Sequence, residues 1–326
     1  MLARWVAVAA AAIVAPACLT QTQPGHPAPD TTPIYWGVTG EHQEKLRRDR
    51  VPNARPDLVL FYQHQLGRYP QLASGRTLHG GIPQKADLEI HLDKLERDIR
   101  DRIPDHGFSG VAVIDYESWH PLWDRTPQAY RDASIEHARD STRGLDRKAI
   151  ETLARTQYER AARTFLLATL ERARALRPEA TWGVFALPGV RDDPEDLAWL
   201  FRASDAVFPV IYADHSSVPE PDSSRRQAHP NRYRTVVNRA IERASRASEL
   251  AGGDLRVIPF ICLRYRPRVP VIGGRFVNRE DLRIMTRHAA ERGADALVLW
   301  DSIDSGELAD RYNAYLRDVL EPTLRD

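Results

Sequence analysis

Val111-Ala112-Val113-Ile114-Asp115-Tyr116-Glu117-Ser118-Trp119 is an apolar run that ends in two acids. Near-continuous apolar content of this kind marks a strand buried on both faces, as in a parallel sheet. Six other short runs share its character: Ile34–Val38, Leu58–Gln63, Trp182–Ala186, Ala206–Tyr212, Val257–Leu263 and Ala296–Trp300. Between them lie amphipathic stretches, Asp87–Arg102, Leu145–Leu176, Pro194–Ala203, Asn231–Ala251, Asn278–Arg292 and Ser305–Leu320. Asn278 and Ser305, each followed by acids in the next turn, read as helix N-caps. Leu145–Leu176 is long for a globular helix and leaves room for a break in its middle. Strands alternating with helical crossovers, with no shift in composition, predict a single α/β domain over residues 33–326. The expected architecture is a distorted (β/α) TIM-like barrel of about seven parallel strands, with a doubly wound open sheet as the alternative. No Gly-x-Gly-x-x-Gly or Walker-type loop follows the first strands, which argues against nucleotide binding.

The 326 residues, 42% of them hydrophobic, supply ample chain for a substantial core. Lys+Arg 46 against Asp+Glu 45 leaves a formal charge of +1. Bulk attraction to nucleic acid is thereby argued against, and any charged ligand must be met by a local cluster. Two cysteines exclude a disulfide scaffold and a cysteine-based zinc finger. His79, His91, His106 and His215 show no paired metal spacing, so neither metal nor cofactor is expected. Lysine occurs only at positions 45, 85, 94 and 148; arginine carries the positive charge, a bias of GC-rich bacterial genomes.

Residues 1–17 read as a signal peptide: one charge (Arg4), the apolar run Trp5–Val14, then Ala15-Pro16-Ala17. Two cleavages fit. Ala-x-Ala before Cys18 suits ordinary signal peptidase, and a cysteine there also resembles a bacterial lipoprotein attachment site, although Leu or Val would be expected at Ala15. Residues 18–32, rich in Pro, Thr and Gln, read as a flexible tether. The protein is therefore expected outside the cytoplasm, either secreted or lipid-anchored through Cys18 at the bacterial surface or in the periplasm. The membrane is a partner only through that lipid. Cys262, inside an apolar run, is expected to pack as a small core hydrophobe.

Side chains alternate along a strand, so Asp115 and Glu117 project to one face, about 6–7 Å apart at the backbone. At the C-terminal end of a barrel strand that face is the mouth, where active sites of such barrels sit. Two carboxylates in an apolar, aromatic-walled site cannot both ionise freely, so one holds its proton near neutral pH. Glycoside hydrolysis needs such a pair. A strand running into a solvated acidic loop would give the same tripeptide. The continuation Ser118-Trp119-His120-Pro121-Leu122-Trp123 changes the balance, because tryptophans beside acids are costly to expose and suit stacking on sugars. Arg264, Arg266 and Arg268 follow the sixth strand; Arg225, Arg226, Arg232 and Arg234 follow the fifth. Both loops would rim the mouth, where guanidinium groups can take uronic carboxylates in bidentate fashion. Solvated loops without a ligand account for them equally well.

Gly110–Trp123, read GVAVIDYESWHPLW, resembles the catalytic segment of the animal and venom hyaluronidases, glycoside hydrolase family 56. Leu60-Phe61-Tyr62, Gln65–Pro70, Gly80–Gln84, His91-Leu92 through Asp98-Ile99, Tyr158–Leu170 and Arg177-Pro178 before Trp182-Gly183 continue the resemblance. Trp199-Leu200, Phe208-Pro209, Ile211-Tyr212 and Gly293–Trp300 complete it, in order, from about Ile34 to Trp300. It implies a retaining endo-β-N-acetylhexosaminidase that cuts β-1,4 bonds of an anionic glycosaminoglycan, hyaluronan or chondroitin. In that family the substrate's own acetamido oxygen is the nucleophile. Glu117 would be the acid and base, and Asp115 would orient the acetamido group and stabilise the charge that forms. Tyr62, Tyr69, Trp119, His120, Tyr212, Arg264 and Trp300 are the implied substrate contacts, with Tyr212 touching the acetamido group and Trp300 walling the same pocket. Barrel packing would also account for the aromatics. Several positions depart from the family. His120 stands where arginine is usual, Leu187–Arg191 replaces Phe-Pro-Asp-Cys-Tyr, Asp301 replaces glycine, and the cysteine-rich tail is missing. These keep two alternatives open: the same chemistry on another N-acetylated polysaccharide, such as a bacterial capsule or wall polymer, or a non-catalytic glycan-binding surface lipoprotein.

Overall fold

Alternation along the Val111 strand sorts the whole molecule into an inside and an outside. The computed structural model describes residues 31–73, 75–140, 142, 144–213, 232–266 and 274–325. The expected signal peptide, Cys18 and the tether as far as residue 30 lie outside the described residues, as do His215, Arg225, Arg226 and Arg268. The strands are β1 (Ile34–Thr39), β2 (Ala54–Arg55), β3 (Leu58–Tyr62), β4 (Gln71–Ala73), β5 (Arg76–Leu78), β6 (Val111–Asp115), β7 (Thr181–Val184), β8 (Ala206–Val207), β9 (Arg256–Val257), β10 (Phe260–Ile261) and β11 (Leu297–Ser302).

The parallel ladders run β3-β6-β7, β8-β9 and β10-β11-β1-β2, and single parallel bridges Phe185 to Phe208 and Val210 to Phe260 join the groups. Seven staves thus surround one barrel: β1, β3, β6, β7, β8, the β9–β10 pair and β11. Among the described residues no ladder joins β1 to β3, although the two lie side by side. Side chains fill that seam; Gly37 makes room for Leu58, whose Cδ2 would lie 3.1 Å from a Cβ at Gly37. β4 and β5 form an antiparallel hairpin.

Two predicted strands, Ala206–Tyr212 and Val257–Leu263, are present only as short pieces. Pro209 and Pro259 sit inside them, and proline has no N–H to give a ladder. Their carbonyls still serve: Phe260 N donates to Pro209 O (2.8 Å) and Val298 N to Pro259 O (2.9 Å).

Helices wrap the barrel. α1 (Leu88–Arg102) is capped by Asp87, whose side chain accepts from Ile90 N. α2 (Gln128–Asp140) was not predicted, because it buries only Tyr130, Ser134 and Ala138, a narrow stripe with little apolar signal. α3 (Arg147–Leu176), capped by Asp146, runs unbroken for 30 residues, so the break allowed for in its middle does not occur. A buried stripe from Ile150 through Ala154, Tyr158, Ala162, Phe165 and Thr169 to Ala173 holds it along its length, packed on α1, α2 and β7. α4 (Ala198–Phe201) and α5 (Arg232–Ala251) follow. α6 (Arg279–Arg283), capped by Asn278, passes through a π turn into α7 (Ala289–Glu291). α8 (Gly306–Tyr315), capped by Ser305, does the same into α9 (Glu321–Arg325). Among the described residues no helix is long and apolar enough to cross a membrane.

Two cores result. Leu60, Val111, Val113, Phe208, Phe260 and Val298 fill the barrel, and Ala112, Ile114, Leu297 and Leu299 face outward into the layer shared with the helices. Cys262 is buried and unpaired, as expected of a core hydrophobe. On the inward series, the next positions toward the C-terminal mouth after Val113 and Val298 are Asp115 and Trp300.

Candidate active site

Asp115 closes β6 and turns inward at the mouth. Tyr116 turns the other way: it is buried, donates to Leu66 O (2.6 Å), and stacks on Tyr69 with ring centres 4.2 Å apart. That anchor fixes the backbone on which Glu117 swings back to the inner side. Asp115 and Glu117 line one cavity of about 320 Å³ with Tyr62, Gln63, His64 and Ser118. The Oδ1 of Asp115 is buried without a hydrogen-bond partner. Burial first, and the nearby Glu117 charge second, push the Asp115 carboxyl up to about 7. Glu117 stands more open; its buried flank raises its pKa and the Arg266 charge opposes the rise. The pair can therefore hold a proton near neutral pH, which is what a general acid needs.

Aromatic residues wall the mouth. Trp300 Nε1 donates to the Tyr62 hydroxyl (3.0 Å), and Tyr212 stacks with Trp300 at 6.2 Å with 25° between planes. All three are half-buried on the inner face. The Arg266 guanidinium lies over both Tyr212 (4.9 Å) and Trp300 (4.5 Å). Tyr62, Tyr212 and Trp300 thus gather on the mouth side of the barrel that also holds the acid pair. His120 borders a second hollow, of about 250 Å³, that Glu117, Phe185 and Leu187 also line. Its ring is committed within the protein. Nδ1 accepts from Leu122 N (3.1 Å), so the ring proton sits on Nε2 and is donated to Asp192 (3.1 Å). The same carboxylate accepts from Gly189 N (2.7 Å) and lies 3.6 Å from Arg125 Nε. Asp192 therefore pins the divergent Leu187–Arg191 segment to His120 and Arg125.

Two of the expected contacts, Tyr69 and Arg264, need correction, and Trp119 is largely enclosed. Tyr69 is fully buried, its hydroxyl accepting from Trp119 N (3.2 Å), and no saccharide can reach it. Trp119 is 4% exposed, donates Nε1 to Pro70 O (2.8 Å) and stacks on Tyr69. Both buttress the β6 turn, and Trp119 also lines the hollow of about 250 Å³ beside Glu117 and His120. Arg264 is spent on Asp301: Nε lies 3.0 and 3.2 Å from the two carboxylate oxygens, and Nη2 bonds Asp301 and Ser302 O. Asp301 is wholly buried on the outward face of β11, opposite Trp300. Its presence in place of the glycine usual in the resembled family thus turns Arg264 away from the mouth. Arg264→Met is expected to lower unfolding free energy by about 3–5 kcal/mol, because Asp301 is left buried without a counter-charge. Urea unfolding at pH 7 measures this. Adding Asp301→Leu should restore most of the loss, and a single variant within 1 kcal/mol (roughly the worth of an exposed pair) would show the pair to be superficial.

The structure adds residues that sequence reasoning did not select. Gln63, His64 and Ser118 line the cavity, with Ser118 Oγ donating to Gln63 Oε1 (2.6 Å). Gln63 and His64 were within reach of a simple rule, since residues just past the C-terminal end of a barrel strand face its mouth. Arg266 was one rim arginine among several, with nothing in the sequence to single it out.

Parallel staves around an aromatic-walled acid pair at the C-terminal mouth are the arrangement that glycoside hydrolases of the barrel kind use. A family profile described as hyaluronidase, glycoside hydrolase family 56, matches residues 44–193. The chain is 30% identical over 297 residues to hyaluronidase-1 of Sus scrofa, covering 82% of this chain and 63% of that protein. It is 26% identical over 331 residues to a hyaluronidase of Loxosceles intermedia, covering 90% and 79%. Its fold superposes on bee venom hyaluronidase with a TM-score of 0.76 at 24% identity, over 90% of this chain and 100% of the other. A second structure of that venom protein, in complex with a hyaluronic acid tetramer, gives 0.77 at 23% identity, over 90% and 98%. The chain belongs to the hyaluronidase family. It spans 63% of the length of the mammalian relatives it matches.

Proposed function

We propose that the protein is a retaining endo-β-N-acetylhexosaminidase that hydrolyses β-1,4 bonds of hyaluronan or a chondroitin-type glycosaminoglycan. The observation that carries this reading is the Asp115 carboxyl, buried with one oxygen unpartnered, in the same cavity as Glu117. A buried acceptor without a donor is costly, and an acetamido N–H is a donor of the right kind. In the reaction, the acetamido carbonyl oxygen attacks the anomeric carbon while Glu117 gives its proton to the leaving glycosidic oxygen. Asp115 accepts from the acetamido N–H and offsets the positive charge of the oxazolinium that forms. Water then attacks the same carbon, Glu117 takes its proton, and the bond to the acetamido oxygen breaks. Two inversions leave the configuration retained. Because the nucleophile belongs to the substrate, rules relating carboxylate spacing to stereochemistry do not apply. Tyr212 and Trp300 would wall the acetamido pocket and Tyr62 would hold its rim. The hyaluronidase names of the relatives and the hyaluronic acid tetramer held by the venom protein support this choice of polymer.

A second reading, the same chemistry on another N-acetylated glycan, is favoured by the hollow of about 250 Å³ beside Glu117, bounded by the divergent Leu187. Either reading fits a barrel over residues 33–326 that works outside the cytoplasm after loss of residues 1–17, free or held by lipid on Cys18. Incubation of the mature protein with hyaluronan, chondroitin, chitin oligomers and peptidoglycan separates them. Shortening of hyaluronan or chondroitin to saturated oligosaccharides is expected. Shortening of chitin or peptidoglycan alone would favour the second reading, and unsaturated, ultraviolet-absorbing products would indicate a lyase and remove the hydrolytic mechanism.

A further inference from the structure

Arg266 is the cation at the acid pair whose charge is uncommitted. Its guanidinium lies over Tyr212 and Trp300, at 4.9 and 4.5 Å from the ring centres, and its charge acts on Glu117. It makes no side-chain hydrogen bond or ion pair with any described residue; only its backbone N–H is engaged, on Ala213 O (3.0 Å). Arg264, two positions earlier, is by contrast bonded through Nε and Nη2 to Asp301 and Ser302. A guanidinium held by aromatic rings and not by hydrogen bonds keeps its N–H donors for a ligand, and its fork matches a carboxylate in bidentate geometry. The rings meanwhile hold it in place, so little side-chain freedom is lost when an anion arrives.

We propose that Arg266 is the specificity-determining residue, taking the carboxylate of the uronic acid that flanks the cleaved hexosamine. The inference rests on the function proposed above and adds to it a reason for choosing alternating uronate–hexosamine polymers over neutral ones. It also couples recognition to chemistry. Arg266 opposes the burial-driven rise of the Glu117 pKa, and a docked carboxylate offsets that opposition, so a charged substrate favours the protonated acid more than a neutral one does.

The test compares hyaluronan oligosaccharides with the same oligosaccharides methyl-esterified at their uronates. For the wild-type protein, kcat/KM is expected to favour the acid form by about 10- to 100-fold, the worth of a charge-assisted bidentate pair. Arg266→Met, which keeps apolar cover on the rings, should bring the ratio to about 1, and Arg266→Lys should leave an intermediate value. Calorimetry on the Glu117→Gln protein measures the same acid-to-ester ratio in binding, without turnover. A wild-type ratio near 1, or a ratio unchanged in Arg266→Met, overturns the proposal while hyaluronan is still shortened. If neither oligosaccharide is cut or bound, the hyaluronan reading itself falls and the proposal with it. Should the Met variant not fold, the wild-type and Lys ratios decide alone.

Discussion

Glu117→Gln is expected to lower kcat on the cleaved polymer by about 10³- to 10⁴-fold, the range for removing a general acid and base. Glutamine keeps the shape of the side chain and can still hydrogen-bond, but it has no proton to give the leaving oxygen and cannot take one from water. Glu117 stands open at the cavity and forms no side-chain hydrogen bond with a described residue. The variant should therefore unfold within about 0.5 kcal/mol of the wild type, and its affinity for oligosaccharides should stay nearly unchanged. Chain-length analysis paired with calorimetry separates the two effects. A wild type with no activity, whose binding is lost in the variant, would instead support the glycan-binding alternative.

Asp115→Asn should have two effects of opposite sense. Activity falls by about 10²- to 10³-fold, because the acetamido group loses the carboxylate that orients it and offsets its charge. Stability at pH 8 rises. The native carboxyl titrates at about 7, above its ordinary value of 3.8, so the native state binds the proton more tightly than the unfolded chain does. Its contribution to stability is complete below about pH 4, is lost as pH rises toward 7, and stays constant beyond. The full cost at pH 8 is of the order of 4 kcal/mol, and Asn escapes it while adding a buried amide that costs about 1–3 kcal/mol. A net gain of about 1–3 kcal/mol is expected. His91 works in the opposite direction. It is buried, accepts from Arg68 N (2.9 Å), bonds Thr169 Oγ1 (3.0 Å), and burial pulls its pKa down to about 4. Its contribution is complete above about pH 6.5 and is lost as pH falls toward 4. The two offset each other in the wild type. Urea midpoints at pH 8, 6 and 4 should therefore change little for the wild type and fall steeply with acid for Asp115→Asn. Parallel pH profiles for both proteins would show that the Asp115 carboxyl is not perturbed.

Much of this was readable along the chain, and the remainder fails for identifiable reasons. The run from Val111 to Glu117 carries strand, inward alternation and acid pair in one stretch, so local periodicity suffices. Pro209 and Pro259 shorten two strands by a rule that is also local, yet apolar content alone hides it. α2 escapes because its buried stripe is a tyrosine, a serine and an alanine. At the site, alternation chose the acids, but residue type could not tell a wall from a buttress. Tyr62 and Tyr69 are both tyrosines seven positions apart; one faces the cavity and the other lies under the β6 turn. Which of Arg264 and Arg266 keeps its charge free is decided by Asp301, 37 positions after Arg264, and only tertiary contact shows it.

The unpaired seam between β1 and β3 gives the Trp300–Tyr62 hydrogen bond a second duty. Tyr62 ends β3, Trp300 belongs to β11, and β1 lies between them, so this indole–phenol link, beside the Tyr62–Thr39 contact to β1, works as a clasp across the split hoop. Among the described residues, side chains rather than backbone rungs hold the barrel together on that side. Under the proposed function, a sugar that nudges either ring also pries at the buckle, and substrate fit and barrel girth become a single adjustment.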